Sequence, residues 1–206
     1  MRTIASCLLA VLLAGAAQAQ SLAPDVLVKN VTTEVVELIV RDKEIRSGDR
    51  TRLIQVIEAK VLPHFNFQSM TSLAMGQSWS KATPEQKKRL IEEFKTLLVR
   101  TYASALAAYS EQRFDFRPLR ARPNDTDVTV QVRVIQSGAQ PVPIDYSMEK
   151  TAGGWKVYDV IVGGVSLVAN YRTEFNQTVR ESGVEGLIKN LQAKNRSMEA
   201  PAAEKK

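Results

Sequence analysis

Near residue 112 the apolar periodicity of this chain changes from that of a helix to that of a strand, and this one change constrains the fold class most. Upstream, Val28, Val31, Val35, Leu38 and Ile39 recur at helical spacing, as do Leu53, Val56, Ile57 and Val61. A longer stripe follows: Leu90, Ile91, Phe94, Leu97, Leu98, Thr101, Tyr102, Ala105, Leu106 and Tyr109. Downstream, Phe114 and Phe116 alternate with charged residues. Val128, Val130, Val132 and Val134 alternate with Thr129, Gln131 and Arg133, and Val142, Ile144, Tyr146 and Met148 alternate with polar residues or proline. From 155 to 162 the residues are β-branched or aromatic at both parities, which predicts a strand covered on both faces. Turns fall at Asn124-Asp125, Ser137-Gly138 and Gly153-Gly154. Four strands joined by such short loops make an antiparallel meander. One apolar sheet face needs helices over it, so the expected class is α+β, a curved four-stranded antiparallel sheet covered by about six helices.

Local signals set the boundaries. Pro24 opens the first helix and Ser47-Gly48 closes that region. Asp49 caps the next helix, which Pro63 ends. Residues 64–79, rich in aromatics and methionine, read as a short helix and loop. Thr83-Pro84-Glu85-Gln86 joins a capping box to a proline at the first helical position, and the helix after it extends toward Glu111. Gly163-Gly164 turns the chain after the last strand. Ser166 then caps a helix carrying Val168, Tyr171, Phe175 and Val179. Ser182-Gly183-Val184-Glu185 reads as a second capping box, starting a helix with Val184, Leu187, Ile188 and Leu191 on one face. No repeat or interior linker appears. The expected organisation is a leader at 1–19, one domain over 20–194, and a disordered tail at 195–206.

The leader sets the compartment. Met1-Arg2 is basic, residues 4–14 are apolar, and Ala17-Gln18-Ala19 fits a cleavage site, so the mature chain should begin near Gln20 in an exported space. The single cysteine, Cys7, lies inside the leader, so the mature chain forms no disulfide and depends on its core. The formal charge of +6 is mild, with both signs interspersed.

Several chemistries lack their residues. One histidine, His64, and no mature thiol leave a His/Cys zinc site or a cysteine nucleophile out of reach. Ser166 follows two glycines without the nucleophile-elbow pattern, and His64 follows Pro63 at a helix end, a structural position. Phosphate-binding glycine loops are absent, as are basic runs interleaved with aromatics, so neither a nucleotide cofactor nor nucleic-acid binding is expected. Asp145 and Asp159, on adjacent strands, are the one acidic pair that proton-abstraction chemistry of the isomerase type could use.

The residues resemble a family. Leu62-Pro63-His64-Phe65-Asn66-Phe67, Gly76, Trp79 and Gln86 begin the match. Pro143-Ile144-Asp145-Tyr146, the block from Trp155 to Val160, Gly164-Val165-Ser166-Leu167, Asn170-Tyr171-Arg172, Gly183 and Gly186-Leu187-Ile188 continue it. In order and spacing, over nearly the whole mature chain, these are similar to the MlaC family, the toluene-tolerance type of periplasmic phospholipid-binding protein. The chain departs at Asn66 (usually Asp), Lys87 (often Arg) and Gly163 (often acidic), which touches partner contacts more than an apolar lining.

The resemblance implies an NTF2-like fold with a deep apolar pocket between sheet and helices. A diacyl phospholipid would be held there as cargo, with no cofactor. It implies shuttling between an outer-membrane lipoprotein–porin complex and an inner-membrane ABC transporter with an MCE-domain subunit, which maintains outer-membrane lipid asymmetry. The residues taken as lining are Phe67, Met70, Leu73, Leu98, Tyr102 and Leu106 from the helices. From the sheet and the segment after it come Val130, Val132, Tyr146, Met148, Val160, Val162, Val165 and Tyr171. Methionine re-packs around irregular guests, which suits such a wall. The other readings are a lipid-free periplasmic adaptor and an isomerase-type enzyme using Asp145 or Asp159.

Overall fold

The computed structural model describes residues 22–107, 112–122 and 124–199. The leader read at 1–19, helix positions 108–111 and the end of the tail lie outside the described residues.

The first helix, α1 (Pro24–Arg41), buries Val28, Val35 and Ile39, the expected stripe. A single turn, α2 (Lys43–Arg46), escaped the sequence reading. Its signal is Asp42, whose carboxylate accepts from the amides of Glu44 and Ile45. Asp49 caps α3 (Arg50–Lys60) by accepting from Arg52 N at 2.9 Å. Residues 64–79 resolve into a 3₁₀ turn at Leu62–His64, the helix α4 (Phe67–Met75) and a second 3₁₀ stretch, Gly76–Lys81. Gly76 ends α4 at φ 53°, a region open to glycine. Thr83 and Gln86 satisfy each other's backbone amides at 3.0 and 3.2 Å, the reciprocal box that starts α5 (Pro84–Ala107).

Five strands run in sequence order: β1 (Arg113–Phe116), β2 (Asp127–Ile135), β3 (Val142–Thr151), β4 (Gly154–Val162) and β5 (Val165–Ser166). All neighbours are antiparallel. Four are the expected strands. The fifth is a two-residue extension formed because Gly163 and Gly164, at φ 59° and 86°, fold Val165 back against Val162. On β2 the valines are buried and the residues between them exposed.

The expectation that β4 is covered on both faces is corrected: only Val157 is buried, and the rest is half-covered. On the side away from β3, β4 has only the short β5 and a single bridge from Phe65 beside it. It also carries a bulge, since Ser147 pairs with Asp159 while Met148 pairs with Val157, leaving Tyr158 as the extra residue. Val157 therefore joins the sheet core, while Tyr158 packs against the helices.

The last helix, α6 (Leu167–Glu199), extends beyond residue 194, and its Asn195 is buried. Its predicted second start is real but differently made. Gly183, at φ 72° and ψ −179°, interrupts the helix. Ser182 donates to Thr178 O at 2.9 Å, and Glu185 pairs with Arg89, so no capping box forms there.

Candidate lipid-binding site

The described core is divided, where a domain usually has one contiguous apolar core. A helical cluster joins α4, α5 and α6 around Phe94, Phe175, Leu187, Ile188 and Leu191. A second gathers α1, α2, α3 and the far part of α5 around Ile39, Leu53, Ile57 and Ala103. The third lies on the sheet, where Val128, Val130, Val132, Met148 and Val157 meet Val28 of α1. Phe65, in the linker before α4, packs against both the helical and the sheet clusters. That seam position follows from its backbone: residue 65 bridges Val157, and Asn66 N donates to Val157 O at 2.8 Å.

The fourteen residues read as lining distribute over these clusters. Met70 and Leu98 are buried in the helical cluster, with Phe67, Tyr102 and Tyr171 packed against it. Val130, Val132 and Met148 are buried in the sheet cluster, with Tyr146 and Val160 against it. Leu106 joins the cluster of α1 to α3, and Val162 is half-buried opposite Ile144. Leu73 and Val165 are open to solvent, 37% and 59% exposed. Three aromatic residues beside the sheet cluster, Phe114, Phe116 and Trp155, were not in the set, although the alternation of Phe114 and Phe116 was visible in the sequence. Phe65 was missed as a lining candidate, because its place at the seam comes from a long-range backbone contact.

Two tyrosines carry the polar chemistry of these layers. Tyr171 sits edge-on to Phe94 at 5.1 Å and hydrogen-bonds Thr101 and Tyr102. Burial first, then the neighbouring Tyr102, push its hydroxyl up to about 12. Tyr158 is likewise raised to about 12, by burial and by its hydrogen bond to Asp127. Both stay neutral donors across the physiological range, so each presents an apolar body with a polar tip.

Asp159 has a structural task. Its carboxylate accepts from Ser166 Oγ and from Val168 N at 3.1 Å, and Ser166 Oγ accepts from Ala169 N at 2.9 Å. Together they cap α6 and tie it to β4, as the sequence suggested for Ser166. Asp145 lies on another rung, opposite Ile161, and meets Gln131 at 3.5 Å. The two carboxylates thus serve separate partners. His64 is lowered from its ordinary value by burial and by Lys156, whose Nζ donates to Pro63 O at 2.6 Å. Among the described residues no cluster of His, Cys, Asp and Glu could hold a metal ion.

The departures also find places. Asn66 caps α4 through Ser69 N at 3.2 Å and donates to Glu149 at 2.8 Å, so its amide joins helix to sheet where a carboxylate would face another carboxylate. Lys87 lies over the Trp79 ring at 5.2 Å.

Comparison with known proteins accords with this architecture. A solved structure from Ralstonia solanacearum, described as a phospholipid-binding protein in complex with a phospholipid, superposes with a TM-score of 0.79 at 38% identity, covering 84% of this chain and 97% of that one. The toluene tolerance protein ttg2D of Pseudomonas putida is 28% identical over 161 residues, 78% of this chain and 74% of that protein. The intermembrane phospholipid transport system binding protein MlaC of Haemophilus influenzae is 24% identical over 172 residues, 82% and 80% of the two chains. The sequence model of the MlaC protein family matches residues 29–193, and the chain belongs to that family.

Proposed function

We propose that the exported chain is a periplasmic phospholipid carrier, holding acyl chains between its helical and sheet clusters. The observation that supports this most is the divided core: a valine wall on β2 and a helical layer that meet at Phe65. Ten of the fourteen residues named above belong to the two clusters that flank that seam, and Leu73 and Val165 would form its rim; Leu106 packs instead with α1 to α3, and Val162 stands outside the three clusters. The phospholipid bound by the Ralstonia relative supports the same reading.

Burial of acyl chains yields about 0.8 kcal/mol per CH₂, so two ordinary chains give more than roughly 20 kcal/mol gross, near the ceiling for non-covalent binding. A lipid leaving a bilayer gains little of this, since its tails were already dry. Release into water is correspondingly slow. Transfer therefore requires collision with a membrane-bound partner that opens the seam, in this reading the outer-membrane lipoprotein–porin complex at one end and the MCE-bearing transporter at the other. The capped junction of β4 with α6 suits it, because it lets helices and sheet stay joined at one end while the seam widens.

Mass spectrometry of an organic extract of purified protein tests the proposal. About one phospholipid per chain, retained in buffer and lost only to acceptor membranes or partner, is the expected outcome. An empty protein, or release into buffer within seconds without an acceptor, contradicts it; the empty protein favours an adaptor.

A further inference from the structure

Outside the apolar set, a cavity of about 350 Å³ opens between the end of α4 and α6, lined by Gly76, Gln77, Arg172 and Asn176. Its walls are held by hydrogen bonds that leave donors over. Arg172 is exposed, and its Nε donates to Leu73 O at 3.0 Å, which anchors one edge of the guanidinium and leaves its two terminal nitrogens. Asn176 Nδ2 donates to Arg172 O at 2.8 Å, and the buried Ser78 donates to Asn176 Oδ1 at 3.2 Å. The Gln77 side chain is exposed and lacks a hydrogen-bond partner among the described residues. No carboxylate lines the cavity, and Arg172 forms no ion pair among the described residues. The acid nearest along the helix, Glu174, is paired with Lys194.

A guanidinium anchored through Nε beside amide donors, with no acid lining the cavity to neutralise it, matches a singly charged oxyanion with two accessible oxygens. We infer that this cavity binds a phosphodiester or phosphate group through Arg172 and Gln77. Its position favours the diester of a bound lipid. Leu73, whose carbonyl holds Arg172, is exposed and belongs to the proposed apolar rim, so tails in the seam would bring a headgroup to this side. In that form the inference rests on the carrier reading; a free phosphate is the other source of the same chemistry.

The test compares the mature chain with Gln77→Glu and Arg172→Gln. Gln77→Glu adds a negative charge at the cavity without touching the Arg172–Leu73 bond, so it decides the matter if Arg172→Gln fails to fold. The expected result is a ³¹P resonance of the co-purified lipid displaced from its position in vesicles. Both folded variants move it back and speed transfer to acceptor vesicles at least about tenfold, the lower end of the gain expected from losing one charge-assisted hydrogen bond. Lipid-loaded variants with the wild-type resonance and transfer rate overturn the site while leaving the carrier reading intact. If wild-type protein holds no phospholipid, the carrier reading has failed separately. Titration with inorganic phosphate then decides: saturable binding lost in Gln77→Glu supports a free-phosphate site, and no binding overturns the site altogether.

Discussion

The helical cluster and the sheet cluster bury similar kinds of residue in different ways. In the helical cluster Phe94, Phe175, Leu187, Ile188 and Leu191 have no solvent exposure, and Phe94 packs edge-on against both Phe175 and Tyr171 at about 5 Å. The sheet cluster is a row of small β-branched side chains fringed by half-buried aromatics: Phe114, Phe116, Tyr146 and Trp155. Rings interlocked edge to face resist displacement, because each occupies a shape the others define. A flat valine wall offers the same surface to whatever lies against it. In the proposed carrier the difference would separate two duties: the helices hold the fold, and the sheet accepts a variable neighbour.

Four substitutions break or sharpen that contrast. Phe175→Ala, at the centre of the ring cluster, should cost about 3–5 kcal/mol by denaturant unfolding. A loss below 1 kcal/mol, on the scale of an exposed site, would mean the helical layer is not the rigid half. Val132→Trp, on the sheet wall, should behave in the opposite sense. If the indole occupies space used by acyl chains, stability changes by less than about 1.5 kcal/mol, while phospholipid in the organic extract drops about tenfold. A folded variant with full lipid content would assign Val132 to ordinary core.

Asn66→Asp tests the link between the two regions. The introduced carboxylate keeps the cap on Ser69 N but faces Glu149, whose partner Asn66 now is at 2.8 Å. The expected loss is about 1–2 kcal/mol at neutral pH. Repulsion raises the folded-state pKa of the carboxylate pair, so the loss should shrink as pH falls through that range. A loss independent of pH would point to lost hydrogen bonding alone. The smallest effect belongs to Glu185→Gln at the α6 surface. Arg89 holds Glu185 below its ordinary 4.5, so its stabilisation is present above that pH and disappears as pH falls through the folded value. Thermal melts should show wild type losing a little more stability than the variant over that acid interval; because the pair lies at the solvent-accessible surface, added salt should nearly erase the difference.

Much of the fold was written locally. The Thr83–Gln86 box, the caps at Asp49 and Ser166, and the valine alternation of β2 each depend on residues within a few positions, and each appears where the pattern put it. The capping box read at Ser182 failed for an equally local reason. Gly183 adopts a positive φ that breaks the helix, so Ser182 ends the preceding segment and bonds back to Thr178. The candidate site was legible only in part. Period placed Val130, Val132 and Met148 on one sheet face. It could not tell that Leu73 and Val165 stand open, or that Phe65 lies where two clusters meet.

Sequence by itself determined the longer elements, their order and which stripe of each is apolar, because hydrogen-bonded periodicity and capping act over a turn or two. Tertiary structure alone decided how those stripes partition. Whether three apolar faces merge into one core or stay as separate clusters depends on contacts between residues 83 to 99 positions apart, such as Asn66 with Glu149 or Arg172 with Leu73. Those contacts set the spacing between layers, and that spacing governs whether side chains fill the interior or leave it for a guest.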